Sequence, residues 1–256
     1  MAYIEAKIFS TALGMATEVA VVIPQRSTAG EIGTANKEGR GLYKCLYLLH
    51  GLSDDQTIWM RRTSIERYAT KYGIAVVMPR GDRSFYADMK YGPKYFTYIT
   101  EELPEIISDL FPISTRREDT VIGGLSMGGY GALKSALRKP EKYSKVIALS
   151  SVADIVGKKK LFDKTLIPIY GEELDIPESD DIFALAESLP EKMRPEIFMA
   201  VGLSDFLYTD NVKLRDRLRE LGYDLTYVEA EGIHSWDFWD EHIVEGLEFA
   251  FGEKKN

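Results

Sequence analysis

Short runs of β-branched and aliphatic residues alternate along this chain with longer stretches whose apolar residues recur every three or four positions. Runs of the first kind suit strands and stretches of the second kind suit helices, so the alternation predicts an α/β fold. The strand runs fall at residues 3–10, 18–23, 43–49, 74–78, 120–122, 145–149, 197–201 and 225–229. The first two are expected to form an antiparallel hairpin through Leu13 and Gly14. The later six are mostly apolar throughout rather than alternating, which suits parallel strands covered by helices on both faces. Between them, Ile99, Leu103, Ile106, Ile107 and Leu110 share one helical face, with Pro104 beginning or kinking that helix. A second stripe, Leu214, Leu218 and Leu221, ends at Gly222, and a third runs through Trp239, Ile243, Leu247 and Ala250.

Two segments break this rhythm. Residues 25–41 are rich in Gly, Ser, Thr and charge and read as a surface loop. Residues 152–190 mix Ile, Leu and Phe with many carboxylates and are too short for an independent core. We therefore expect one domain over 1–256, with 152–190 as a cap-like insertion partly covering a site. That insertion scatters Lys158, Lys159, Lys160, Asp163, Glu172, Glu173, Asp175, Glu178, Asp180 and Asp181 among its apolar residues, a pattern opposed to adsorption on a lipid surface.

Composition narrows the function classes. With 45% hydrophobic and 28% charged residues, the 256-residue chain is an ordinary globular protein rather than a disordered or fibrous one. A net charge of -8 argues against nucleic acid, because neutralising phosphates needs clustered excess Lys and Arg. The one cysteine, Cys45, cannot form an internal disulfide and lies in an apolar run, as a packed thiol in a reducing compartment would. No secretory signal is evident at the start, and no apolar stretch reaches the roughly 18 residues that span a bilayer. The expected location is the cytoplasm, and homo-oligomerisation is compatible with the sequence.

The chemistry concentrates at Gly124-Leu125-Ser126-Met127-Gly128, a Gly-x-Ser-x-Gly pattern between the strand at 120–122 and a helical segment. Such a strand-to-helix turn is tight, and side chains at Gly124 and Gly128 would collide with neighbouring backbone. Ser53 and Ser204 also follow Gly-Leu, yet each is followed by Asp and lacks the second glycine. A serine hydroxyl needs a base to take its proton, and there are three histidines. His234 lies on a loop at the carboxyl end of the sheet, where open α/β folds bind ligands. His242 sits on the last helix beside Trp239 and Ile243, and His50 ends the strand before Gly51. The acid of a Ser-Asp-His order belongs on the loop after the strand preceding the histidine, where Asp205 stands. Asp210 ranks second, because it suits a helix N-cap. An acyl-transfer intermediate also needs two N-H donors for its oxyanion, and the backbone amides of Leu52 and Met127 occupy the required loops. Aromatics on those loops, Trp59, Tyr86, Phe206, Tyr208 and Trp236, are candidates for lining a substrate pocket.

Leu48-Leu49-His50-Gly51-Leu52, the region of Tyr86 and Tyr91-Gly92, Glu102-Leu103-Pro104, the stretch from Gly124 to Leu133, Asp205-Phe206-Leu207-Tyr208 and His234-Ser235-Trp236 together resemble the esterase D family. Within it they are most similar to small bacterial tributyrin or acetyl esterases, over nearly the whole chain. The resemblance implies an α/β-hydrolase fold, no metal or organic cofactor, a small-molecule ester as partner, and hydrolysis of short-acyl or phenolic-acyl carboxylic esters. It also implies the triad Ser126, Asp205 and His234. Relatives include S-formylglutathione hydrolases and feruloyl esterases. The former usually carry a Cys-bearing stretch after the Gly-Leu of the oxyanion loop, whereas Ser53-Asp54-Asp55-Gln56 stands here. Thioester hydrolysis, acyl transfer to an alcohol, and a silent binding module on the same scaffold are the competing expectations.

Overall fold

The computed structural model describes residues 1–25 and 41–253, so the loop expected at 25–41 lies almost wholly outside the described residues. Eight strands form one sheet in the order β1-β2-β4-β3-β5-β6-β7-β8. They are β1 (Ala2–Ser10), β2 (Met15–Ile23), β3 (Cys45–Leu49), β4 (Ala75–Pro79), β5 (Thr120–Leu125), β6 (Lys145–Leu149), β7 (Glu196–Gly202) and β8 (Leu225–Ala230). β1 and β2 form the expected hairpin, and Gly14 closes its turn at φ +69° with its amide on the Ser10 carbonyl. β2 pairs antiparallel with β4, and every later pairing is parallel. This is the α/β-hydrolase arrangement.

The mostly apolar strands β3, β4 and β5 are buried along their whole length, because helices cover both faces of the sheet. One core lies on each face. β8 departs from the expectation. It is the sheet edge, and it is half-buried rather than buried: Leu225 and Tyr227 pack on one core and Val228 and Ala230 on the other, while Thr226 and Glu229 are exposed.

Nine α-helices are found among the described residues. They are α1 (Ile58–Arg62), α2 (Ile65–Tyr72), α3 (Tyr95–Thr97), α4 (Leu103–Leu110), α5 (Met127–Arg138), α6 (Asp163–Tyr170), α7 (Ile182–Ser188), α8 (Tyr208–Glu220) and α9 (Trp236–Phe251). A π turn at Tyr98–Glu102 joins α3 to α4, and Pro104 is its cause. Proline has no N-H for the Thr100 carbonyl, and that oxygen accepts from Lys142 Nζ at 2.6 Å instead. On the stripe of this helix, Ile99, Leu103 and Ile107 are buried, while Leu110 is exposed at its end, contrary to the expectation.

The insertion at 152–190 contributes Ile155, Leu166, Ile169 and Ile182 to the same core as α5. Two of its charges do not behave as solvated surface charges. Asp180 is buried beneath Tyr130, Lys134 and Arg138 of α5. Lys158 is likewise drawn inward to Asp210 at 3.1 Å. No helix among the described residues is long and apolar enough to cross a membrane.

Candidate active site

Ser126 sits between β5 and α5 with φ 54° and ψ -116°, a conformation costly for a residue with a side chain. The turn is tight because two glycines let backbone meet backbone. A Cβ at Gly124 would lie 2.5 Å from the Gly128 carbonyl carbon, and one at Gly128 would lie 2.4 Å from the Leu49 carbonyl oxygen. Ser126 Oγ makes no capping bond to α5. It lies 3.0 Å from His234 Nε2 instead.

His234 follows β8 and Asp205 follows β7, and a close backbone approach brings these loops together. A Cβ at Gly202 would stand 2.4 Å from the Gly232 carbonyl oxygen, which accepts the Ser204 amide at 3.0 Å. Asp205 Oδ2 and Oδ1 then lie 2.9 and 3.1 Å from His234 Nδ1. The Asp205 carboxylate is buried, and its Oδ1 also accepts the Leu207 amide at 2.8 Å. With Nδ1-H donated to Asp205, Nε2 is left free to accept from the serine. The imidazole is wedged between Phe206 and Trp239, whose ring centroids lie 4.6 and 4.8 Å away. Trp239 is itself held by an Nε1-H bond to Ser150 Oγ at 3.1 Å.

The other candidates separate cleanly. Asp210 is not a helix N-cap but lies in the first turn of α8, paired with Lys158 and away from His234. His242 is buried against Phe238, 4.1 Å between ring centroids. His50 is buried, and desolvation holds its imidazole below the ordinary value, hence neutral. Its Nδ1-H donates to the Gly51 carbonyl at 2.7 Å, and Nε2 accepts the Gly81 amide at 2.9 Å. His50 therefore pins the loop after β3 to the loop after β4, and that loop carries Leu52.

A cavity of about 490 Å³ opens above Ser126, lined in part by Leu52, Met127, Phe206, His234 and Trp236. The Met127 amide is the first of α5, where an N-H has no intrahelical acceptor and the helix dipole is positive. Of the five expected aromatics, only Phe206 and Trp236 line this cavity. Trp59 is buried instead, donating Nε1-H to the Leu49 carbonyl at 3.1 Å and packing edge-on against Trp236. Tyr86 is buried behind the β3 loop, where its hydroxyl donates to the His50 carbonyl at 2.9 Å. Tyr208 starts α8 half-buried, outside the lining. Sequence reading missed Phe85, Phe162 and Trp239, which complete the aromatic wall, and the polar groups Asp54 and Arg83. Trp239 carried a signal, since it stands one helical turn after Ser235 in the His234 loop, but its place in an apolar stripe hid it. Among the described residues, no cluster of three or more His, Cys, Asp or Glu side chains could hold a metal ion.

Comparison with known proteins shows the family and the fold. The family model described as "Putative esterase" matches residues 10–250. An acetyl esterase of Caldicellulosiruptor saccharolyticus is 37% identical over 219 residues, 80% of this chain and 82% of that protein. Two Staphylococcus aureus structures share the fold over nearly their whole length. The fluorophosphonate-binding serine hydrolase FphF is 32% identical with a TM-score of 0.86, covering 98% of this chain and 99% of that one. The S-formylglutathione hydrolase FrmB is 33% identical with a TM-score of 0.83, covering 98% of each chain.

Proposed function

The chain belongs to the esterase family, and from that premise we infer that it is a serine carboxylesterase acting on short-acyl esters, with Ser126 as nucleophile. The observation that carries this reading is the unbroken hydrogen-bond chain from Ser126 Oγ through His234 to buried Asp205, ending on an open cavity. Neutral His234 takes the serine proton as Oγ attacks the ester carbonyl. Asp205 keeps Nδ1 protonated and stabilises the imidazolium that forms. The amides of Leu52 and Met127 donate to the developing oxyanion. The imidazolium then returns its proton to the leaving alcohol, and water repeats the sequence on the acyl-enzyme. Five aromatic side chains, Phe85, Phe162, Phe206, Trp236 and Trp239, line the cavity above Ser126, and their bulk favours a short or flat acyl group. A single buried thiol at Cys45 suits the cytoplasm as the working location.

A thioesterase reading is favoured by one observation, the 33% identity to the S-formylglutathione hydrolase. Rates on matched acetyl oxoesters and thioesters, with and without an added alcohol acceptor, separate the alternatives. Oxoester hydrolysis to free acid is the expected result. Exclusive thioester turnover, or a product dominated by acyl transfer, would overturn the assignment.

A further inference from the structure

Arg83 is the feature that neither the proposed triad nor the core explains. It lies on the loop after β4 and lines the cavity above Ser126. It also lines a second cleft of about 430 Å³, shared with Lys164, Ser84, Thr165 and Tyr95. Its guanidinium is held in place without being neutralised. One amino group donates to Thr165 Oγ1 at 2.9 Å, and the other reaches the Leu52 carbonyl at 3.5 Å. Among the described residues, neither Arg83 nor Lys164 is in an ion pair. The nearest acid in the chain, Asp82, is committed elsewhere, to Arg80 Nε at 2.7 Å and to the Tyr95 hydroxyl. The other acid of the upper cavity, Asp54, packs against Gly51, and burial raises its carboxyl above the ordinary value.

A guanidinium keeps its charge at any ordinary pH and presents five donors in a planar fork that matches a carboxylate. We propose that Arg83, aided by Lys164, forms a subsite for a carboxylate on the substrate, so that the protein favours short esters bearing an acid group over neutral ones. Arg83 lines both clefts, so in the proposed pose a substrate with its ester carbonyl over Ser126 reaches Arg83 with its far end, on the side where Thr165 and Lys164 line the second cleft. The inference rests on the esterase reading.

The test compares kcat/KM for a carboxylate ester with that for its neutral amide isostere, in two arms. One arm carries the acid on the alcohol part, as 4-acetoxybenzoate against 4-acetoxybenzamide. The other carries it on the acyl part, as an aryl hemisuccinate against the aryl succinamate. Because the readout is a ratio within each protein, a general loss of activity or of folded protein cancels. Wild type is expected to favour the acid in one arm. Arg83→Gln lowers that ratio about tenfold, Arg83→Lys lowers it less, and added salt lowers it in wild type. Equal ratios in wild type and Arg83→Gln in both arms, with no salt dependence, would overturn the subsite while leaving neutral ester hydrolysis standing. Failure of wild type to hydrolyse any of the four esters would overturn the esterase reading itself.

Discussion

Two buried ionic arrangements lie on either side of α5, and they differ in what they face. At its N-terminus, buried Asp205 holds His234, which holds Ser126, and the chain ends on an open cavity. Along its body, Lys134 is wholly buried between Asp180 at 3.4 Å and the Phe85 carbonyl at 3.1 Å. Asp180 is further bound by Arg138 at 2.7 Å and by the Tyr170 hydroxyl at 2.6 Å. Burial pulls Lys134 down to about 8, a shift that in isolation would suggest a catalytic amine. Yet Lys134 is shut away from solvent and ties α5 to the insertion and to the loop bearing Phe85. A perturbed group marks chemistry only where substrate can reach it.

The largest expected effect lies in the first arrangement. Ser126→Ala should reduce kcat on the order of 10^6 while leaving thermal unfolding unchanged. Retention of activity within tenfold of wild type, with contamination excluded, would remove the nucleophile. Asp205→Asn should cost about 10^4 through loss of the correct imidazole tautomer. Asp210→Asn should cost far less, since it touches Lys158 rather than His234. Equal losses would show that the acid is wrongly assigned.

The second arrangement should respond in stability before turnover. Lys134→Met leaves Asp180 and the Phe85 carbonyl without their buried cation, an expected loss of about 3 kcal/mol seen in denaturant unfolding. The pH dependence has a definite sign. The folded-state value, about 8, is below the unfolded 10.5, so between these values the unfolded chain binds the extra proton. Wild-type stability therefore gains from this group as pH rises through that window. The gap between wild type and Lys134→Met should widen by about 2 kcal/mol from pH 8 to 10. A gap that narrows would contradict the account of the buried amine.

The same contrast explains what was legible in the sequence. Ser126, Asp205 and His234 stand at strand ends, and the strands were readable from apolar runs, so position and chain order brought the three together on paper as in space. The glycines at 124 and 128 announced a tight turn because only a missing Cβ permits it. Lys134 and Asp180 were not legible as a pair. One stood in a helix of small residues and the other in a charge-rich insertion, and 46 positions of chain separate them. Such long-range pairing has no local period. Trp59 and Tyr86 were misjudged for a related reason, since a loop aromatic can face the cavity or brace the loop from behind, and composition is blind to direction.

The smallest effect concerns the cavity's apolar wall. Five aromatic side chains line the cavity above Ser126, and the insertion's remaining exposed charges face water, so hydrolysis should fall as the acyl chain lengthens. Aryl esters from acetyl to long-chain acyl, measured below and above their solubility limits, check this. A jump in rate at an interface would point to a lipase.

The most direct test of the central claim is where a serine-directed fluorophosphonate reacts. Mass spectrometry of the inactivated protein should show a single adduct, on the peptide bearing Ser126, formed in step with loss of ester hydrolysis and greatly slowed in Asp205→Asn. An adduct on another residue, or full activity in protein labelled at Ser126, would contradict it.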